Sequence, residues 1–121
     1  MNGTLDAAVV ARVRELMGDD FGVLLSAYLR DAVTHCDDLG NAIGTMDLER
    51  VSHVAHSLKG MSLNIGARAL AATLSDLEAV ARRSGTSADA ARSDDLVRLM
   101  NAAREQLSAV SEAVERLRSG G

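Results

Sequence analysis

The sequence predicts an all-α protein: an up-down-up-down antiparallel four-helix bundle with a short N-terminal capping helix. Three observations predict it. Apolar residues recur at three- and four-residue steps through nearly all of the 121 residues, which is the period of one helix face. No proline interrupts that pattern. Hydrophobic residues make up 47% but aromatics only 2%, so the core must be aliphatic, with Ala, Leu and Met supplying strong helix formers. The length suits one domain over residues 1–121 with one modest core, not two.

Each element has its own signals. Thr4 is the expected N-cap of a short first helix, with Asp6 in the first turn, where negative charge suits the dipole. Leu5, Val9, Val13 and Leu16 form its apolar face, and Gly18 ends it. A second helix is expected from Asp19 or Asp20 to about Gly44. Leu25, Tyr28, Leu29, Ala32, Cys36, Leu39 and Ile43 form its seam, while Gly40 and Gly44 weaken its last turns. Asp47 reads as the N-cap of a third helix about 27 Å long, closed by Gly66. Ala67 opens a fourth, carried by Leu70, Leu74, Leu77 and Ala81 and stopped by Ser84-Gly85. Residues 86–93 lack a strong apolar side chain and read as a loop, with a helical turn as the alternative. Ser93 or Asp94 then caps a last helix with Leu96, Leu99, Ala103, Leu107, Val110, Val114 and Leu117 inward. Short connections make neighbouring helices antiparallel.

The bulk properties exclude several roles. A net charge of −4, without a Lys/Arg block and with few aromatics for stacking, argues against nucleic acid. Nothing approaches the roughly 18 consecutive apolar residues of a membrane span. The first residues have no signal-peptide pattern, and the single Cys36, read as a buried filler, fits a reducing compartment. The cytoplasm is therefore expected. The start at Met1 favours a stand-alone protein, and apolar faces used up by one bundle favour a monomer.

The third helix carries the chemistry. Val51, Val54, Ala55, Leu58, Met61, Ser62 and Ile65 share an inner face; Glu49, Ser52, His53, His56, Lys59, Gly60 and Leu63 share the outer one. His56 should thus stand in solvent, with Lys59 and Gly60 one turn along on its own side. A mid-helix glycine costs about 1 kcal/mol relative to alanine, so Gly60 calls for a reason. Letting something large approach the imidazole is one.

The run from His56 to Ala67 resembles the signature of histidine-containing phosphotransfer (HPt) domains, roughly H-x-L-K-G-x-S-x-x-[LI]-G-A. His56, Leu58, Lys59, Gly60, Ser62, Ile65, Gly66 and Ala67 meet its fixed positions, and Leu70, Leu74, Leu77 and Glu78 extend the likeness. The resemblance implies a four-helix bundle and a phosphoryl relay. His56 would accept a phosphoryl group, through its outer ring nitrogen, from an aspartate of one response-regulator receiver domain and pass it to another. A hybrid sensor histidine kinase would be a further partner. Lys59 would partly neutralise the phosphoryl oxygens and Gly60 would make room for the receiver. Mg²⁺ would come with the receiver, so the protein needs no cofactor of its own and is a phosphocarrier rather than an enzyme. An attacking imidazole must be neutral, and an ordinary histidine pKa of about 6.5 leaves it mostly so at cytoplasmic pH. Ser62, on the inner face, is assigned to packing. Leu63 is a candidate receiver contact. Arg50 and Arg68 are candidates to ring the site, although surface arginines are commonly just solvated.

Two rival readings differ in class. Glu49, His53 and His56 share a face and could ligate a metal, but bundle metal sites face the core and draw on several helices. A bundle that only binds proteins is the other; the intact His-Lys-Gly set speaks against it.

Overall fold

The computed structural model describes residues 3–83 and 89–119. It consists of α1 (Ala7–Met17), a 3₁₀ turn (Gly18–Asp20), α2 (Phe21–Gly44), α3 (Leu48–Asn64), α4 (Arg68–Ala81) and α5 (Asp89–Ser119), with no strand among the described residues. α3 packs against α2 and α4, and α5 packs against the same two helices, so the four long helices close a ring. Their inner faces meet in one cluster of buried aliphatic side chains. Among the described residues no helix is long and apolar enough to cross a membrane.

Most of the expected seams are buried. In α2, Leu25, Tyr28, Ala32, Cys36, Leu39 and Ile43 all lie inside, and the helix runs to Gly44 despite its two late glycines. Cys36 is a free thiol in this core, and burial pushes its pKa up. α5 buries Leu96, Leu99, Ala103, Leu107, Val110 and Val114, with Leu117 half-buried at its end.

Three expectations need correction. The cap of α1 is Asp6, not Thr4: its carboxylate accepts the Ala8 and Val9 N–H groups at 2.9 and 3.3 Å. Leu5 is buried, so the chain dives into the core first and the helix begins after it. Leu16 is 77% exposed rather than inward. The buried residue of α1 is Val10, and at about 100° per residue Leu16 lies about 120° round from it. Finally, α5 begins at Asp89 and not at Ser93 or Asp94, so residues 89–93 are helical rather than loop. Ala90, Ala91 and Arg92 favour helix, and Arg92 is buried, its Nη2 donating to the Arg83 carbonyl at 2.7 Å. That bond joins the start of α5 to the end of α4. The rest of the expected loop, and the Ser84-Gly85 stop, lie outside the described residues.

The turn between α3 and α4 fixes where α3 ends. Gly66 has φ +81, a left-handed conformation, and the Ala67 N–H returns to the Ser62 carbonyl at 2.9 Å. The Gly66 carbonyl accepts the Asp6 N–H at 2.9 Å, and Arg68 pairs with the Asp6 carboxylate at 2.8 Å. α1 is thereby tied to this turn. At the other end Asp47 caps α3 by accepting the Arg50 N–H at 3.2 Å.

Candidate functional site

α3 is held by its inner face. Val51, Val54, Ala55, Leu58, Ser62 and Ile65 are buried and Met61 is half-buried. Ser62 is fully buried and shares a 2.9 Å hydrogen bond with the Tyr28 hydroxyl of α2. This bond satisfies two polar groups that would otherwise be stranded in an aliphatic core, so Ser62 belongs to packing, as expected. Burial pushes the Tyr28 phenol up against the smaller opposing effect of that bond. A helix anchored along such a stripe cannot roll, and its outer residues keep a defined direction.

On the outer face Glu49, His53, His56, Gly60 and Leu63 are exposed. Ser52 is not: it is buried where α4 packs over that edge, and its Oγ accepts the Arg82 Nε–H at 2.8 Å. The Lys59 side chain is also partly covered, at 24% exposure.

The His56 side chain is 65% exposed, yet its inner edge is engaged. Nδ1 lies 3.2 and 3.4 Å from the two carboxylate oxygens of Glu78 on α4. The same carboxylate accepts from Lys59 Nζ at 3.0 Å and from Arg82 Nη2 at 2.9 Å. Glu78 itself is buried, with 8% of its side chain exposed. Burial pushes its pKa up, but the hydrogen bonds from Lys59 and His56 and the charges of Lys59 and Arg82 outweigh this and hold it below the ordinary value. At neutral pH it is a carboxylate and can only accept.

That fixes the roles of the two ring nitrogens. Facing an acceptor, Nδ1 must carry the proton; the neutral ring then keeps its lone pair on Nε2. The tautomer is thus assigned from the hydrogen-bond network. Nε2, on the far side of the ring, is free to attack an electrophile arriving from solvent.

Gly60 lies one turn beyond His56. A Cβ built there meets no heavy atom within 4 Å, so nothing inside the molecule requires a glycine. Leu63, 49% exposed, is a bare apolar side chain farther along the same helix. Of the expected site residues, the fold gathers His56 and Lys59 on Glu78 and leaves Gly60 open beside them.

Arg50 and Arg68 do not ring this site. Arg50 makes two hydrogen bonds to Asp38 of α2, and Arg68 pairs with Asp6. Arg82 stands at the site instead. Nor do Glu49, His53 and His56 assemble: no group of three or more His, Cys, Asp or Glu that could hold a metal occurs among the described residues. The oxygens of Glu78 are already taken by three donors.

Glu78 and Arg82 are the residues that sequence reasoning left without a role. A signal was present for Glu78. It follows Leu74 by four residues and Leu70 by eight, which puts a carboxylate on the inner stripe of α4, where it must find partners. Arg82, one turn later, is one of them.

The model of the Hpt domain family matches residues 23–120 of the chain. Among solved structures, the chain is similar to the crystal structure of histidine-containing phosphotransfer protein B (HptB) from Pseudomonas aeruginosa PAO1. The two share 28% identity over 100% of this chain and 99% of that one, with a TM-score of 0.88. No curated protein matches.

Proposed function

The chain belongs to the Hpt domain family, and from that premise we propose that it is a phosphocarrier that relays a phosphoryl group between receiver aspartates through a phosphohistidine at His56. The observation that carries the reading is the ring itself: 65% exposed, with Nδ1 held by Glu78 and no hydrogen bond to Nε2 among the described residues. Attack by Nε2 on the aspartyl phosphate of a receiver forms the N–P bond and breaks the P–O bond, whose electron pair leaves with the receiver carboxylate. Reversal onto a second receiver completes the relay.

The other roles follow from position. Lys59 has three N–H donors and commits one to Glu78, which leaves it able to meet phosphoryl oxygens. Gly60 lets the receiver come close, and Leu63 offers it an apolar contact. Phosphoryl transfer depends on in-line positioning and charge stabilisation. The required divalent cation would come with the acidic pocket of the receiver; among the described residues, the carboxylate beside His56, Glu78, already meets three cationic or N–H partners. A hybrid sensor kinase would load the relay through its own receiver. The up-down-up-down course and the capping role of α1 belong to the same reading, supported by the short connections 45–47 and 65–67 and by the Asp6 contacts with Gly66 and Arg68.

The test is phosphotransfer. The protein and His56→Gln are incubated with Mg²⁺ and a panel of phosphorylated receivers. The expected result is an acid-labile, base-stable label on the protein and none on His56→Gln, whose helical circular dichroism is unchanged because the ring is exposed. Label that survives the substitution moves the site elsewhere. No label from any receiver, with the fold intact, favours a purely protein-binding bundle.

A further inference from the structure

Resting on the assignment of His56 as phosphoacceptor, we propose that Ser52 is a positioning residue that pins the Arg82 guanidinium to Glu78 as a standing counter-ion. Lys59 is thereby released to meet the phosphoryl group.

By its spacing Ser52 lies on the outer face of α3, yet α4 covers it and leaves it 9% exposed. Its Oγ accepts the Arg82 Nε–H at 2.8 Å. The same guanidinium donates through Nη2 to Glu78 Oε2 at 2.9 Å. Arg82 is thus held at two points of a planar fork, by residues of two different helices. A guanidinium gripped in this way cannot turn to a new acceptor without giving up both bonds. Lys59 is held differently. Among the described residues its ammonium makes a single hydrogen bond, to Glu78 Oε1 at 3.0 Å, from the end of a flexible four-carbon stem.

The difference matters once phosphorus is on Nε2. Phosphoryl oxygens then bring negative charge to the face that carries Lys59, and as the ammonium turns to them its hold on Oε1 weakens. Glu78 has only 8% of its side chain exposed, and burial by itself pushes a carboxyl toward its protonated form. A second cation on Oε2 keeps this charge compensated while Lys59 is engaged elsewhere. If Arg82 followed the phosphoryl group too, the carboxylate would keep the ring as its remaining partner. Ser52 opposes that move, because leaving it strips a covered hydroxyl of its N–H donor.

Ser52 also acts in the other direction. With His53 and Arg82 it lines an open groove, whose walls include Asp47 and Glu49. Those carboxylates would draw a loose guanidinium away from Glu78 and from the site. A serine suits this position for two reasons. It is small enough for α4 to pack over, and its oxygen can accept the Nε–H, which an alanine of similar size would leave without this partner.

The experiment needs no receiver. The full chain carries His35→Ala and His53→Ala, so that His56 is its only histidine and phosphoramidate phosphorylates it directly. ¹H–¹⁵N NMR follows the Lys59 ammonium and the Arg82 Nε–H, the latter assigned by its loss in Arg82→Lys. The Arg82 Nε–H should be protected from exchange with water and should stay protected after phosphorylation, while the Lys59 signal shifts. Ser52→Ala should speed that exchange about tenfold, and Ser52→Thr, which keeps the hydroxyl, should restore protection. The rate of labelling by phosphoramidate at pH 8 is the functional readout. Lys59→Ala should slow it about tenfold in the parent, and by a clearly smaller factor once Ser52→Ala frees Arg82 to replace the lost cation. A serine that served only the fold would leave the two factors equal, which overturns the proposal. So does an Arg82 Nε–H that is unprotected or loses protection on phosphorylation, or a Lys59 signal that stays put. If Ser52→Ala does not fold, the spectra of the parent decide. Failure of the relay reading shows separately, as absent transfer from phosphorylated receivers to a protein whose Lys59 and Arg82 respond as expected.

Discussion

At the scale of single residues, the close approach of a receiver proposed for Gly60 can be tested apart from the demands of the fold. Gly60 sits on an exposed turn of α3 where an added side chain would meet only open space, so the protein gains nothing internally from its absence. Gly60→Gln should therefore stabilise the fold, by roughly 0.5 kcal/mol or more in urea unfolding, because glycine is among the poorest helix residues. The same substitution should slow receiver-dependent labelling of His56 by about a hundredfold, since displacing a docked partner by about 1 Å has that order of effect. Transfer at the native rate would remove the close-approach explanation. The exposure of His56 was legible from the helical period alone. Its attachment to Glu78 was not, because that contact spans 22 residues of sequence.

Among the elements, the α3–α4 turn decides where the site lies. Gly66 combines a left-handed φ of +81 with a crowded position: a Cβ there would fall 2.9 Å from the Asp6 nitrogen. Gly66→Ala should destabilise the protein by about 1–3 kcal/mol, read as a lower urea midpoint with an unchanged slope. The glycine was expected to close α3, and it does. Its second task, accepting the Asp6 N–H through its own carbonyl, depends on α1 lying against the turn. The start of α5 shows the opposite case. Residues 89–93 carry no apolar signal, and the helix there is supported by the buried Arg92 and its bond to the end of α4. Hydrophobic periodicity could not register a helix anchored by a guanidinium.

For the whole molecule, the prediction concerns acid. The pKa of Glu78 is lower in the folded state than its ordinary value of 4.5, so the unfolded chain binds its proton more readily. The stability that this carboxylate contributes is complete above about pH 4.5 and is lost as the pH falls through the depressed folded value. Asp38, held low chiefly by its hydrogen bonds from Arg50, acts in the same direction. Urea midpoints should fall as the pH is lowered from 6 to 3, and Glu78→Gln should show a shallower fall. A variant curve parallel to the parent curve would mean that Glu78 is not linked to folding. The linkage joins the site to the bundle, because the carboxylate that orients His56 also bridges α3 and α4.

The sequence by itself determined the number and order of the helices, most of their inner faces, and the exposed His56 with Lys59 and Gly60 a turn away. All of these are consequences of a 3.6-residue period and of local capping chemistry, which act within a few residues. Only the tertiary structure decided which charges the histidine meets. It chose Arg82 over Arg50 and Arg68, buried Ser52 on a face that reads as outer, and brought Glu78 beneath the ring. Those outcomes depend on how α4 is rotated and how closely it packs on α3. Many distant apolar contacts set that relation together, and no local spacing encodes it.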